Sequence, residues 1–364
     1  MLTRRAMIAA TTAAPFLDYA SLTRAWAATP KQVIVMAKQI DDIISFDPAE
    51  AYEFTDNEVD GNCYRKLVAP DLAKGTGIVG DLAEKWEVSA DGRTFTFHMR
   101  GDATFASGKK VTAEDAAFSL QRVVLLDKTP GFIVTQFGFS KDNVGKLIQA
   151  TDPKTLVVTL PSAQATTFVL YCLSANVGSI VDRATAMAHQ SGGDMGNGWL
   201  KTHTAGAGAY QLTSWAASDH VIADANPHSG IKVGARRVVI RHVKDPAAQF
   251  LLLQRGDADI ARDLQADQLK TIRGNPAYHL ATAKQGTSMY IAMNQATPQL
   301  AKPQVRQAIK WAIDYDAIAT NITPDTWTVG QSFLPEGLPG ALTERPFKKD
   351  TAKAKQLLAD AGLP

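Results

Sequence analysis

The side chains that could perform chemistry are scattered along this 364-residue chain. There are seven histidines, and no two of them have the spacing of paired zinc ligands. No G-x-S-x-G segment presents a serine nucleophile on a strand-to-helix turn. Carboxylates are plentiful, but sequence alone does not pair two of them across a cleft. The residues therefore predict no enzyme chemistry, no metal site and no cofactor, and leave a hydrolase with a dispersed carboxylate site as an alternative.

Two glycine-containing segments resemble functional loops. Thr204–Tyr210 reads TAGAGAY, but a phosphate-binding loop is preceded by a strand and followed by a helix N-terminus. Here a segment with the two-residue period of a strand follows, which favours a tight turn that leads into a strand. Arg255-Gly256-Asp257 spells an adhesion tripeptide, yet it lies between a predicted helix end and a predicted strand, where Gly and Asp are ordinary turn residues.

The chain contains two cysteines, Cys63 and Cys172. Neither has metal-ligand spacing to the other or to a histidine, and two cysteines do not make a disulfide framework. We expect two small, buried, unpaired side chains.

The composition is that of a soluble globular protein, with 45% hydrophobic and 20% charged residues. The 38 basic and 36 acidic residues nearly cancel, and no block of five like charges occurs. This balance argues against nucleic acid as a partner.

Residues 1–27 have the pattern of an export signal. Arg4 and Arg5 form a positive start, Ala6–Leu17 is a short apolar stretch, and Ala25-Trp26-Ala27 offers a small-x-small cleavage site. The arginine pair fits the twin-arginine route as well as an ordinary secretory signal. No cysteine follows the apolar stretch, so no lipid anchor is expected, and the predicted location is the periplasm.

The remaining chain alternates strand and helix patterns without a strict β-α-β order. This favours an α/β protein with mixed sheets in more than one lobe. Predicted strands and hairpins cover Lys31–Lys38, Lys85–Arg100, Thr155–Leu160, Ala209–Ala225, Arg236–Val243 and Ala258–Ala261. Predicted helices cover Asn57–Val68 and begin at Thr112, Asp245, Pro303 and Asp350.

Several of these segments, taken in order, resemble one known family. Asp81–Arg100 is similar to the signature of the family 5 extracellular solute-binding proteins, the peptide- and nickel-binding components of ABC importers. Phe46-Asp47-Pro48, Val111–Asp115, Gly256–Ile260 and Val305–Ala308 match further family segments in the same order. The similarity extends over essentially all of the chain after the export signal.

The resemblance implies a two-lobed periplasmic solute-binding, or Venus-flytrap, fold. We expect a discontinuous lobe I formed by residues 28–79 and 206–290, with an inserted subdomain at 80–205. Lobe II is expected to start at residue 291 and to be incomplete at 364, because family members continue beyond the helix that Ala352–Pro364 matches.

The resemblance also implies a function: capture of a peptide or similar small solute between the lobes and delivery to an ABC permease in the inner membrane. We expect a monomer. A periplasmic sensor or chaperone on the same fold is an alternative. Core packing is the competing interpretation for each aromatic residue among the candidate ligand-binding residues. These candidates are Phe46, Phe132, Phe137, Asn176, Met289 and Tyr290.

Overall fold

The computed structural model describes residues 32–71, 73–74, 77–282, 286–336, 338 and 340–363. The predicted export signal at 1–27 lies outside these residues. The described chain divides into two compact units, of which unit 1 ends at Asp263 and unit 2 begins at Leu264.

The strands among the described residues all belong to unit 1. They are β1 Val33–Lys38, β2 Val68–Pro70, β3 Ile78–Gly80, β4 Ala83–Val88, β5 Thr94–Met99, β6 Ile148–Asp152, β7 Thr155–Thr159, β8 Tyr210–Ala216, β9 His220–Ala225, β10 Arg237–His242 and β11 Ile260–Ala261.

Helices occur in both units. Unit 1 contains α1 Phe54–Cys63, α2 Ala113–Leu126, α3 Phe132–Thr135, α4 Val144–Leu147, α5 Thr166–Ser174, α6 Arg183–Ala188, α7 Asn197–Leu200 and α8 Pro246–Arg255, with 3₁₀ turns at Thr129–Gly131 and Asn176–Gly178. Unit 2 contains α9 Ala266–Ile272, α10 Pro298–Ala301, α11 Pro303–Ala312, α12 Tyr315–Ala317 and α13 Thr351–Asp360, with a π-helical turn at Ile318–Ile322.

A mixed five-stranded sheet carries the order β11-β1-β10-β9-β8. β1 runs parallel to both β10 and β11, whereas β8, β9 and β10 pair antiparallel. The chain leaves this sheet after β1 and returns to it at β8, and strands β2–β7 and helices α1–α7 lie between these two strands in sequence. The mixture of parallel and antiparallel pairs confirms the predicted mixed α/β class.

The second large sheet is antiparallel, with the order β4-β5-β7-β6. Its hairpin β4–β5 confirms the prediction for Lys85–Arg100: Phe95, Phe97 and Met99 alternate on the buried face. α2 packs on this sheet and begins with the predicted capping box, in which the Asp115 N–H donates to Thr112 Oγ1 and the Thr112 N–H donates to Asp115 Oδ2.

The helix predicted over Asn57–Val68 is shifted: α1 starts at Phe54 and ends at Cys63. The cause is a neighbour distant in sequence. The Gly208 N–H donates to the Cys63 carbonyl at 2.9 Å, and a Cβ on Gly206 would lie 2.1 Å from that same oxygen. The segment with two glycines therefore runs against the end of α1, and close backbone approach explains these glycines better than the predicted tight turn.

Unit 2 is built around α11 and α13. Asp350 caps α13, since the Lys353 N–H donates to its Oδ1 at 2.9 Å, and the Asp350 N–H donates to the Trp311 carbonyl at 2.7 Å. Both helices begin where the sequence predicts. Within the described ranges, no helix of either unit is long and apolar enough to cross a membrane.

Candidate functional site

A cavity of about 240 Å³ opens on unit 1. Its wall comes from the loop before α1, from the start of α1, from Lys66 and from the two 3₁₀ turns. The lining residues are Ala51, Tyr52, Asn57, Lys66, Pro130, Ile133, Ala175, Asn176 and Val177. A larger, more open hollow of about 590 Å³ lies along α2 and β6. The smaller cavity is the better candidate because unpaired polar atoms and exposed aromatic rings converge there.

Aromatic side chains stand beside the cavity. The rings of Tyr52 and Phe132 meet edge to face, with centroids 6.0 Å apart, and both are about half exposed. Of this pair, Tyr52 belongs to the lining. Large exposed apolar side chains close together mark binding surfaces on soluble proteins. An apolar or aromatic group of a ligand would find contact area here.

The loop that carries Tyr52 is fixed by hydrogen bonds to Asp47, which itself is bound by Arg122. The Glu50 and Ala51 N–H groups donate to the Asp47 carbonyl at 2.8 and 2.7 Å. The Asp47 side chain accepts from the Ala49 N–H at 3.0 Å and is bound by the guanidinium of Arg122. The cavity wall is therefore positioned before any ligand arrives, which lowers the ordering cost of binding.

The polar atoms of the lining are incompletely paired. The Asn57 Oδ1 is buried and accepts no hydrogen bond from the described chain. Asn176 is paired on both ends: its Nδ2 donates to Asp60 Oδ2 at 2.9 Å, and its Oδ1 accepts from Ser179 Oγ at 3.2 Å. Buried polar atoms without a partner are rare and are often binding atoms.

Three ionisable groups near the cavity have displaced pKa values, all because of burial. Burial raises the pKa of Asp60 well above its usual range, against the hydrogen bond from Asn176. Burial also raises the pKa of Asp56, one turn earlier in α1, to about 7, although the nearby backbone N–H groups of Asn57 and Glu53 oppose the rise.

The third group is a base of the lining: burial lowers the pKa of Lys66, whereas the charges of Asp81 and Asp60 oppose that fall. Such displaced groups beside a cavity are typical of functional sites.

The structure brings two of the six predicted ligand-binding residues to this cavity. Asn176 lines it, and Phe132 stands beside it. Phe46 is fully buried and packs edge-on against Trp215, and Phe137 is buried in the hydrophobic core that also contains Phe95 and Phe97. For these two, core packing describes what the side chain does in unit 1.

Met289 and Tyr290 belong to unit 2, where both are strongly exposed, at 69% and 80%. A ligand-binding role for any of the six residues stays a prediction.

Sequence reasoning missed Tyr52, Asn57, Asp60 and Lys66. A signal was present: Asp56 and Asp60 are four residues apart, on the same helix face as Cys63, which was expected to be buried. Acids on a buried helix face point to unusual chemistry. Within the described ranges, no group of three or more His, Cys, Asp or Glu side chains has the arrangement of a metal site.

Residues 77–364 match the family model of the bacterial extracellular solute-binding proteins, family 5 Middle. The chain is 32% identical over 336 residues to the probable D,D-dipeptide-binding periplasmic protein DdpA of Escherichia coli (strain K12). The aligned region covers 91% of this chain and 63% of DdpA. It is 26% identical over 327 residues to the glutathione-binding protein GsiB of Pectobacterium atrosepticum, covering 88% of this chain and 59% of the relative. The chain thus spans less than two thirds of these relatives.

Solved structures show the same fold. The periplasmic binding protein DppA from Helicobacter pylori, in complex with the peptide STSA, superposes with a TM-score of 0.75 at 24% identity, over 91% of this chain and 66% of that one. NikZ from Campylobacter jejuni, in complex with Ni(L-His), superposes with a TM-score of 0.72 at 22% identity, over 92% of this chain and 64% of that one. The fold is that of periplasmic binding proteins, and the family consists of binding proteins. With its match to the family model over 77–364, the chain belongs to the bacterial extracellular solute-binding proteins of family 5.

Proposed function

We propose that this protein is the substrate-binding component of an ABC importer and that its unit 1 cavity binds part of a small, amino-acid-derived solute. One observation carries the proposal: a preformed cavity unites the exposed ring of Tyr52 with the ammonium-bearing side chain of Lys66 and with Asn57, whose buried Oδ1 has no partner within the described chain. The similar proteins named above are described as binding a D,D-dipeptide, glutathione, a peptide and Ni(L-His). These solutes share amino-acid building blocks.

The proposed setting is the periplasm. The pattern of residues 1–27 supports export, and the relative DdpA is described as periplasmic. The partner is an ABC permease in the inner membrane, to which the protein delivers its solute as a monomer. Disrupting the gene in its own bacterium should abolish uptake of the labelled solute; a sensor or chaperone would leave uptake intact.

Calorimetric titration tests the binding role. The full chain is titrated with D-alanyl-D-alanine, glutathione and a tetrapeptide. The bound solute is then recovered, and its mass is measured by mass spectrometry to show whether it has been cleaved. We expect saturable binding of at least one solute, recovered intact. A hydrolase would return cleaved solute, and no binding across the panel would refute the proposal.

Variants locate the site. Tyr52→Ala and Phe132→Ala remove ring area beside the cavity and should weaken binding about tenfold, the effect of removing a buried aromatic contact worth about 1–2 kcal/mol. Leu251→Ala is the matched control, since Leu251 is an exposed apolar residue of α8 that does not line the cavity. Equal affinity in all three variants would place the site elsewhere.

A further inference from the structure

The side chain of Lys66 lies in the wall of the cavity. The residue is only partly exposed. Its backbone N–H donates to Asp81 Oδ2 at 2.9 Å, but its Nζ forms no hydrogen bond or ion pair with the described part of the chain. An ammonium group carries three donors, and removing them from water without compensation costs free energy. A ligand that supplies acceptors would recover that cost.

Neither of the two carboxylates near Lys66 binds its Nζ within the described chain. Asp81 Oδ1 accepts from Arg65 Nε at 2.7 Å, and its Oδ2 accepts from the Lys66 backbone. Asp60 Oδ2 accepts from Asn176, whereas its Oδ1 has no donor within the described chain; Asp60 is fully buried and does not line the cavity. Burial lowers the pKa of Lys66, and the nearby charges of Asp81 and Asp60 oppose that fall, so an added acceptor from a ligand would favour the charged ammonium further.

We propose that Lys66 binds a carboxylate of the solute, so that the unit 1 cavity selects for an anionic group. This inference rests on the proposed function and specifies the chemical class of its ligand. A cationic group would be disfavoured, because the acids of α1, Asp56 and Asp60, lie behind the lining, whereas Lys66 belongs to it. Charge-assisted hydrogen bonds between an ammonium and a carboxylate are among the strong ones.

The test compares a free acid with its amide. The full chain is titrated with D-alanyl-D-alanine and D-alanyl-D-alaninamide, and likewise with a free and an amidated tetrapeptide. A charge-assisted hydrogen bond lost on amidation should weaken binding by about tenfold or more. In Lys66→Met, which keeps the stem and removes the charge, the acid should bind about as weakly as the amide. Lys66→Arg should restore part of the preference for the acid.

Control variants distinguish a failure of the carboxylate inference from a failure of the proposed binding function. Lys141→Met removes the same charge from an exposed position of unit 1 outside the cavity and should keep the preference of the wild type. Thermal melts verify that each variant folds. Equal binding of acid and amide by the wild type, or an unchanged preference in Lys66→Met, overturns the inference and leaves the proposed function standing. No binding of any solute overturns the proposed function, and this inference with it.

Discussion

The guanidinium of Arg122 and the carboxylate of Asp47 form a two-point ion pair that is sealed from solvent. Nη1 lies 2.6 Å from Oδ1, Nη2 lies 2.5 Å from Oδ2, and both side chains are at most 1% exposed. Arg122 projects from α2, whereas Asp47 precedes the loop that carries Tyr52. The pair joins the segment expected as lobe I to the one expected as an inserted subdomain, and it anchors one wall of the cavity.

Breaking this pair should strongly destabilise unit 1. Arg122→Met leaves the carboxylate of Asp47 buried with only the Asn197 amide and the Ala49 N–H as donors within the described chain, and removing one partner of a buried pair costs about 3–5 kcal/mol. Urea unfolding followed by circular dichroism measures the loss. The control is Arg237→Met, which breaks the more exposed pair with Asp224 and should cost far less. Similar losses in both variants would contradict the importance of burial.

Gly206 should tolerate no side chain. A Cβ there would meet the Cys63 carbonyl oxygen at 2.1 Å and the Tyr64 ring at 2.7 Å, and the backbone of α1 cannot move aside cheaply. We expect Gly206→Ala to lower the free energy of unfolding by about 1–3 kcal/mol, the usual cost of overpacking. Gly234→Ala, where a Cβ meets nothing within 4 Å, should be close to neutral in the same urea titration. A stable Gly206→Ala protein would disprove the close approach.

Asp56 should make the protein less stable as the pH rises. Its folded-state pKa of about 7 lies above the ordinary 3.8, so between these values the folded chain holds a proton that the unfolded chain has released. Its contribution is fully present below pH 3.8, is lost as the pH rises to about 7, and stays constant above. The slope is at most about 1.4 kcal/mol per pH unit.

Asp56→Asn removes this dependence, so the variant should gain stability over the wild type as the pH rises from 5 to 8. Unfolding free energies measured across that range give the difference between the two proteins. Asp142→Asn, at an exposed position of unit 1, should run parallel to the wild type. Parallel curves for Asp56→Asn as well would show that the carboxyl titrates normally in the folded chain.

The two cysteines should be free thiols of unequal reactivity. Both are unpaired, Cys63 buried and Cys172 partly exposed. Burial raises the pKa of both thiols, which disfavours the reactive thiolate. We expect labelling in denaturant without reductant to find two thiols, and labelling of the native protein to modify Cys172 well before Cys63. Cys172→Ser identifies the faster site. A disulfide, or faster labelling of Cys63, would contradict the structure.

The sequence alone determined the features whose causes are local. The hairpin at β4–β5 follows from alternating apolar residues around a turn, and the start of α2 from Thr112 and Asp115 three residues apart. Side-chain period and capping chemistry act within a few residues, so they can be read along the chain. The family was also recognisable, since its segments occur in a fixed order.

The tertiary structure alone decided where these elements stop and which side chains meet. α1 ends at Cys63 because Gly206 and Gly208 press against it from more than 140 positions away. Phe46 and Phe132 are the same residue type, yet one is sealed in the core and the other is half exposed beside the cavity. Lys66, Asn176 and Tyr52 form a candidate binding site only because the fold brings them to one cavity. Their burial and their hydrogen-bond partners depend on chain segments that no local sequence pattern connects.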